Sequence, residues 1–397
     1  MEELTELFDD SYQQKVIRHQ DGILIIFSKE ELKHFLLIDK THSLGKGASA
    51  SVYSAELTLA NQESSILAAK VLKPESKINL TELKLNNLFY KTYAPIKLGD
   101  SFVILMEKIP GFTLVNQDYQ LSAEIQQLSY SQRAAIIVSI LNQIQMFHCA
   151  PKADQTFIHS DISECNILID IDLEQLRLQA NIIDFGLADI QQFNIDGKQK
   201  CRIAGTPFYI APEILQKQKC TATDIFAVTP IIARLLGAKD PLKYKKGTTA
   251  LSSEFFKATY DFEGLLSDEK FPLELPILVT KFLKKMCDTN TQKRPNIEIC
   301  QRFFLSCFNV IALADSTNIL DKQCLLKHML MIQLLSQDLW YQPLINFPWQ
   351  TRYFHQMKEA ELLQTATELG ETLLSSQLSA SQIRQFYLMS QSNNLGL

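Results

Sequence analysis

Between His159 and Asn166 the chain reads H-S-D-I-S-E-C-N, and D-F-G follows from Asp184. Two carboxylates and a carboxamide in this pattern suit phosphoryl transfer, which asks a protein to position its reactants and neutralise charge on the moving phosphate rather than to form covalent bonds. One carboxylate must face the incoming hydroxyl, and other oxygens must hold a divalent cation. Asp161 fits the first task. Asn166 leaves the same loop, and Asp184 supplies a second carboxylate, so these two offer hard oxygens to Mg²⁺. His159 is expected to pack and hydrogen-bond within the loop rather than to act as a base. Neither fragment decides the matter alone, because H-x-D-x-x-x-x-N also occurs in small-molecule phosphotransferases and a lone D-F-G is a common surface turn.

Such groups need elements to carry them and a cradle for a nucleotide. Gly22 to Ser28 (G-I-L-I-I-F-S) is apolar and β-branched and reads as a strand, leading toward L-G-K-G-A-S-A-S-V-Y from Leu44 to Tyr53. Small residues there let backbone N–H groups approach phosphate closely. By itself the segment also reads as a flexible turn between two strands. With this loop the sequence resembles the eukaryotic-type protein kinase family, whose glycine-rich loop has the form G-x-G-x-x-G-x-V. Gly45 and Gly47 match on either side of Lys46, Ala50 stands in place of the third glycine, and Val52 matches.

The resemblance implies ATP and Mg²⁺ as cofactors, a protein substrate, and roles for further residues. Leu67-Ala68-Ala69-Lys70 looks like the family's V-A-I-K, which would put Ala68 against the nucleotide and Lys70 on its α- and β-phosphates. Asn79 to Tyr90 has the apolar spacing of the following helix, and Glu82 is its suitable carboxylate, although a solvated helix glutamate fits the sequence as well. Ser101 to Leu114 reads as a buried strand running into a Pro-Gly break. In the resemblance it is the hinge, with Met106 behind the adenine and the backbone from Glu107 to Ile109 along its edge. Arg133 to His148 has a long helical pattern that delivers the chain to the catalytic loop.

G-T-P-F-Y-I-A-P-E, from Gly205 to Glu213, resembles the serine/threonine rather than the tyrosine kinase form of that segment. Thr206 would bond near Asp161, Glu213 would pair with Arg294 of T-Q-K-R-P-N, and Asp224 would hold the catalytic loop from below. Three departures stand out. The family's H-R-D is His159-Ser160-Asp161, so the arginine that holds an activation-loop phosphate is missing. Leu187 to Gly205 contains no Ser, Thr or Tyr, so both halves of that phosphate switch are missing together. Ser163 stands where a lysine usually steadies the γ-phosphate, and Thr229-Pro230 interrupts a helix that normally continues, suggesting a kink or an altered start.

Composition sets outer limits. The 46% hydrophobic content supports a sizeable core, and a net charge of −5 gives no reason to expect a nucleic-acid partner. Eight cysteines lie scattered without a C-x-x-C pair, so neither zinc nor a disulfide framework is implied, and a reducing cytoplasmic compartment fits. The acidic start M-E-E-L lacks a signal-peptide pattern, and no membrane span is expected. Lysine greatly outnumbers arginine among the 39 basic residues, a bias that fits an A·T-rich genome and a bacterial kinase of eukaryotic type delivered to a host cytosol.

The expected architecture is α+β. Residues 1–40 form an N-terminal segment leading into the small lobe, 41–110 a small antiparallel β lobe with one helix, 111–300 a large mainly helical lobe, and 301–397 an all-α extension. That extension carries amphipathic stretches such as A-E-L-L-Q-T-A-T-E-L-G-E-T-L-L and is read either as packing on the large lobe or as a docking module for a regulator. Two readings of the whole remain: an active serine/threonine kinase, or a pseudokinase-like scaffold that binds nucleotide or partners without turnover.

Overall fold

Alternating runs between Gln13 and Glu107 fold into one antiparallel sheet of seven strands. The strands are β1 (Gln13–Arg18), β2 (Gly22–Lys29), β3 (Leu32–Lys46), β4 (Ala50–Thr58), β5 (Ser64–Leu72), β6 (Ile96–Leu98) and β7 (Ser101–Glu107), in spatial order β1-β2-β3-β4-β5-β7-β6. Helix α1 (Leu80–Phe89) interrupts the series after β5. The computed structural model describes residues 12–47, 49–116, 118–149, 155–172, 177–192, 199–239, 241, 260–315, 328–329, 331–332 and 335–336.

Side-chain alternation gives the sheet two uses. One face closes a core around Ile25, Phe27, Leu36, Ile38, Leu67 and Leu105, all at most 5% exposed. The other carries a smaller cluster of Ala50, Leu72 and Ile104, with Leu83 and Met106 packed against it. The expected boundary at 40/41 is overturned, because it falls inside β3. Pairing from Gln13↔Ser28 through Gly22↔Asp39 makes β1 and β2 part of the same sheet, and their buried faces supply its core.

Contacts divide the chain into two compact units. One runs up to Gly111 and includes Asp184–Ala188; the other comprises Phe112–Ile183 and the chain from Asp189 onward. The second unit is mainly helical, with α2 (Tyr130–His148), α3 (Thr221–Leu235), α4 (Glu274–Met286) and α5 (Ile297–Asp315). Short strands frame its loops: β8 (Phe112–Thr113), β9 (Gln155–Ile158), β10 (Ile167–Asp172), β11 (Arg177–Ile182), β12 (Asp189–Gln192), β13 (Gln199–Lys200) and β14 (Gln218–Lys219). One unit with an antiparallel sheet and one helix, and one mainly helical unit, make up the α+β class that the sequence leads one to expect.

Helix α2 starts before Arg133 because Ser129 and Gln132 form a capping box: the Ser129 hydroxyl accepts the Gln132 N–H at 3.2 Å, and the Gln132 side chain accepts the Ser129 N–H at 2.9 Å. Its buried stripe of Ile136, Ile137, Ile140, Leu141 and Ile144 packs on β11 and α5. α5 runs unbroken across residue 300, so the expected boundary between large lobe and extension falls inside an element. The Ile297–Ala314 stretch is also long and apolar enough to cross a membrane by length and composition, contrary to the expectation that no such stretch exists. Its apolarity has a structural use, since Cys300, Phe303, Phe304 and Val310 are buried and the Phe303 ring stacks on Phe282 with centroids 3.8 Å apart.

Pro230 neither shifts the start of α3 nor ends it, correcting the expectation of an altered start. The helix runs from Thr221 to Leu235 through buried Val228, Ile231 and Ile232, and burial on these neighbours offsets the backbone bond that a proline cannot make. The Thr229 hydroxyl donates to Ile225 O at 2.9 Å, one turn back. The amphipathic stretches beyond residue 336 lie outside the described residues.

Candidate active site

Register places the nucleotide-side candidates together. Val52 pairs with Lys70 and Lys70 with Ile104, while Ala68 pairs with Met106, so Val52, Ala68, Lys70 and Met106 share one face of the sheet. Lys70 is only 9% exposed, and its ammonium donates to Glu82 and, at 3.3 Å, to Asp184 Oδ1. Burial alone would lower the Lys70 pKa, but the two carboxylates outweigh it and hold the lysine above its ordinary value, as a fixed cation. The twelve-residue separation between Lys70 and Glu82 is thus bridged.

Asn79 explains how α1 is held there. Its side-chain oxygen caps the helix, accepting the N–H groups of Thr81 and Glu82 at 3.1 and 3.3 Å, while its amide donates to Gly186 O at 3.1 Å. One residue therefore starts the helix that carries Glu82 and ties it to the D-F-G turn. Phe185, 2% exposed, packs on Phe89 and Tyr90 at centroid distances of 5.6 and 6.1 Å. Asp184 adopts φ 65°, a left-handed conformation that costs a non-glycine residue about 1–2 kcal/mol, and its carboxylate remains half exposed.

The glycine-rich turn joins β3 to β4. Among the described residues, a side chain at Gly45 would meet no atom within 4 Å beyond its chain neighbours, so packing against them does not require a glycine there. Gly47 donates its N–H to Ala50 O at 2.8 Å, which closes the turn, and Lys46 lies exposed at the end of β3. Ala50 departs from the expected phosphate-facing role: it opens β4, is 4% exposed and packs with Leu72 and Ile104, so its small size serves the core. In the connector, Glu107 already donates its N–H to Lys91 O at 2.8 Å, so a donor to a ligand edge from this segment must come from Lys108 or Ile109.

In the second unit β9 enters and β10 leaves the loop that carries Asp161 and Asn166. Asp224, fully buried at the start of α3, accepts the backbone N–H groups of His159 and Ser160, each at 2.9 Å, and His148 Nε2 at 3.0 Å. Burial would raise the Asp224 pKa, but these donors hold the carboxyl below the usual range. His159 faces Ile183 O with Nε2 at 3.2 Å, and its Nδ1 lies 3.3 Å from the Asp161 N–H. A carbonyl can only accept, so Nε2 donates to it, and the ring braces the loop from both nitrogens.

Thr206 donates both its N–H (2.7 Å) and its hydroxyl (2.8 Å) to Asp161 Oδ1. Asn166 donates its amide to Asp161 O at 2.9 Å and to Asp161 Oδ2 at 3.3 Å, which leaves its side-chain oxygen out of both bonds. Gly205 sits at φ +135°, and a Cβ there would approach the Ile210 side chain to 3.2 Å, so glycine is what lets Thr206 reach the aspartate. Ser163 is buried, and its hydroxyl has no hydrogen-bond partner among the described residues, so it does not stand in for the missing lysine.

Two features escaped sequence reasoning. Lys219, in a two-residue strand with no spacing signal, is buried against Ser160 and Asp189. Glu164 is 2% exposed and accepts Arg234 Nη1 at 2.7 Å, where it also faces Tyr209. Burial pushes the Glu164 carboxyl up to about 7, opposed by Arg234 and Tyr209. A carboxyl raised in the folded state binds its proton there more tightly than in the unfolded chain. Its contribution to stability is therefore complete below the ordinary carboxylate range and is lost as pH rises through about 7. Melting followed from pH 5 to 8 is expected to show stability falling by up to about 1.4 kcal/mol per pH unit from this group. Glu164→Gln should flatten that slope, and an unchanged slope would refute the assignment.

With this geometry in view, residues 38–304 match the sequence model of the protein kinase domain, and the chain belongs to that family. Among similar curated proteins, the LRR receptor-like serine/threonine-protein kinase FEI 2 of Arabidopsis thaliana is 27% identical over 228 residues, 55% of this chain and 36% of that protein. The probable serine/threonine-protein kinase PBL22 of the same plant is 24% identical over 253 residues, 61% of this chain and 62% of its own. The putative serine/threonine-protein kinase/receptor R818 of Acanthamoeba polyphaga mimivirus is 31% identical over 148 residues, 37% of this chain and 8% of its own. The chain therefore spans less than two thirds of the length of these relatives.

Proposed function

We propose that this chain transfers the γ-phosphate of ATP to serine and threonine hydroxyls of proteins, without phosphorylation of residues 187–205. The observation that carries the reading is Lys70 held between Glu82 and Asp184, because phosphoryl transfer by this family requires the lysine–glutamate pair in place and the D-F-G aspartate in position for a cation. The turn that carries Gly45 and Gly47 lets phosphates approach its backbone closely, Lys70 neutralises them, and Ile109 supplies a donor to the adenine edge. The Asp184 carboxylate and the Asn166 carbonyl fit a hard cation in donor type. Mg²⁺, when bound, neutralises charge on the phosphate oxygens. Asp161 accepts the proton of the incoming hydroxyl, and Thr206 orients that carboxylate.

The serine/threonine preference is supported by G-T-P-F-Y-I-A-P-E and by the relatives being named serine/threonine-protein kinases. Independence from phosphorylation is supported by the hydroxyl-free stretch 187–205 and by Ser160. One observation favours a nucleotide-binding scaffold instead: Ser163 puts no cation where the family has one. Incubation of the purified chain with Mg²⁺, γ-labelled ATP and generic protein substrates, followed by phosphoamino-acid analysis, separates the two. Label on Ser and Thr at a rate unchanged by phosphatase pretreatment is expected. ATP binding without transfer would select the scaffold, and activity lost to phosphatase through a modified loop residue would refute independence.

A further inference from the structure

In the family that this chain resembles, an arginine at position 160 holds a phosphate on the activation segment; here position 160 is serine and the segment 187–205 has no residue to phosphorylate. A cation reaches the same place from another element. Lys219 of β14 is 5% exposed, with its ammonium 3.2 Å from Ser160 Oγ and 3.4 Å from Asp189 Oδ2. Asp189 opens β12, and its partner Ile158 ends β9 immediately before His159, so backbone register presents the carboxylate beside the catalytic loop. Lys219 is itself fixed by pairing with Gln199 of β13, next to the point where the Cys201 N–H donates to Lys217 O at 2.9 Å.

In the loop this cation touches Ser160, and that residue needs holding. Its φ of 66° is left-handed, which a serine adopts only when its surroundings over-determine it, and the next residue is Asp161. Asp224 secures the Ser160 backbone from one side at 2.9 Å, and Lys219 secures the side chain from the other. A buried ammonium is retained only where its partners offset the desolvation, so Lys219 is not a surface lysine in a chance pose.

We infer that Lys219 is a positioning residue for phosphoryl transfer: with Asp189 as a built-in anion it replaces the arginine–phosphate tie of the family, cation and anion having exchanged elements. The lysine comes from the strand after the A-P-E segment and the anion from the strand after D-F-G, so the tie is complete in the unmodified protein. This inference rests on the proposed phosphorylation-independent activity and supplies its mechanism.

The test uses the full chain as wild type, Lys219→Met, Lys219→Arg, Asp189→Asn and the double variant Lys219→Met/Ser160→Arg. Two readouts are taken: kcat and KM for ATP, and hydrogen exchange of the amides of 157–161 and 189–192. Lys219→Met and Asp189→Asn should lower kcat about tenfold with KM for ATP unchanged, and should speed exchange in both segments about tenfold. Lys219→Arg should stay near wild type, and Ser160→Arg should restore part of kcat to Lys219→Met by offering Asp189 a guanidinium. Unchanged exchange in Lys219→Met and Asp189→Asn would overturn the inference whether or not the wild type transfers phosphate. If Lys219→Met were to unfold, Asp189→Asn, at a half-exposed carboxylate, still decides it. A wild type that shows the exchange dependence but transfers no phosphate would refute the functional reading alone.

Discussion

Asp161→Asn is expected to slow phosphoryl transfer about 10²–10⁴-fold, the usual contribution of a positioned general base, while leaving ATP affinity unchanged. The substitution keeps the size of the side chain and an oxygen for the two Thr206 donors now bound at 2.7 and 2.8 Å. What it removes is charge and basicity at the oxygen that would take the hydroxyl proton, and it turns an NH₂ group toward the Asn166 amide, donor against donor. Lys70, Glu82 and Asp184 belong to the other unit and keep their own bonds, so nucleotide binding should survive. Asp184→Ala makes the contrast: it removes a partner of Lys70 and a cation ligand at once, and both Mg²⁺-dependent ATP binding and transfer should be lost. The measurement is single-turnover transfer beside fluorescent-nucleotide titration. Loss of binding in Asp161→Asn would show that the role belongs to nucleotide binding rather than to proton transfer.

The residues of this contrast were legible in the sequence because the chemistry narrows residue type and the loop fixes spacing. Asp161 and Asn166 sit on one short segment, and Asp184 heads a turn whose glycine is two residues on. Glu82 was harder to read. Whether a helical glutamate meets a strand lysine depends on where the helix starts, and that is set by Asn79, whose second bond goes to Gly186, far off in the sequence. Ala50 read as a loop residue because it occupies a glycine position in the motif, yet strand pairing with Leu72 turns it into the core.

Lys219 and Glu164 left no trace in composition or periodicity. A charged residue reads as solvated unless its partner is known, and here the partners lie 30 and 59 residues from Lys219 and 70 residues from Glu164 in the chain. The β1–β2 hairpin was half legible: the apolar run from Gly22 reads as a strand, but the joining of both strands to the glycine-loop sheet depends on pairing that no local motif announces. α5 shows the same limit from the other side, since an apolar run that passes for a membrane span turns out to face Phe282 and α2.

Arg294→Ala is expected to destabilise the second unit by about 3–5 kcal/mol, the usual cost of leaving one partner of a buried ion pair uncompensated. Arg294 donates two parallel bonds to Glu213 at 2.7 and 2.8 Å, and others to Ala222 O and Asp288 O, while its guanidinium lies 4.9 Å from the Phe226 ring. Glu213 is 4% exposed and also accepts the Thr223 hydroxyl at 2.9 Å. Removing the arginine would therefore strand a carboxylate in the interior, along with two backbone carbonyls, and melting should fall by roughly 10 °C. The favourable net value of the pair itself is far smaller, because desolvation consumes most of the attraction. It follows that Glu213→Leu combined with Arg294→Met should recover part of the stability lost in either single variant. Such recovery would assign the pair to fixing the A-P-E segment against α3 rather than to strength, and the double variant would then lose more activity than stability. Additive losses in the double variant would instead show that each side chain contributes through its separate bonds to Ala222, Asp288 and Thr223.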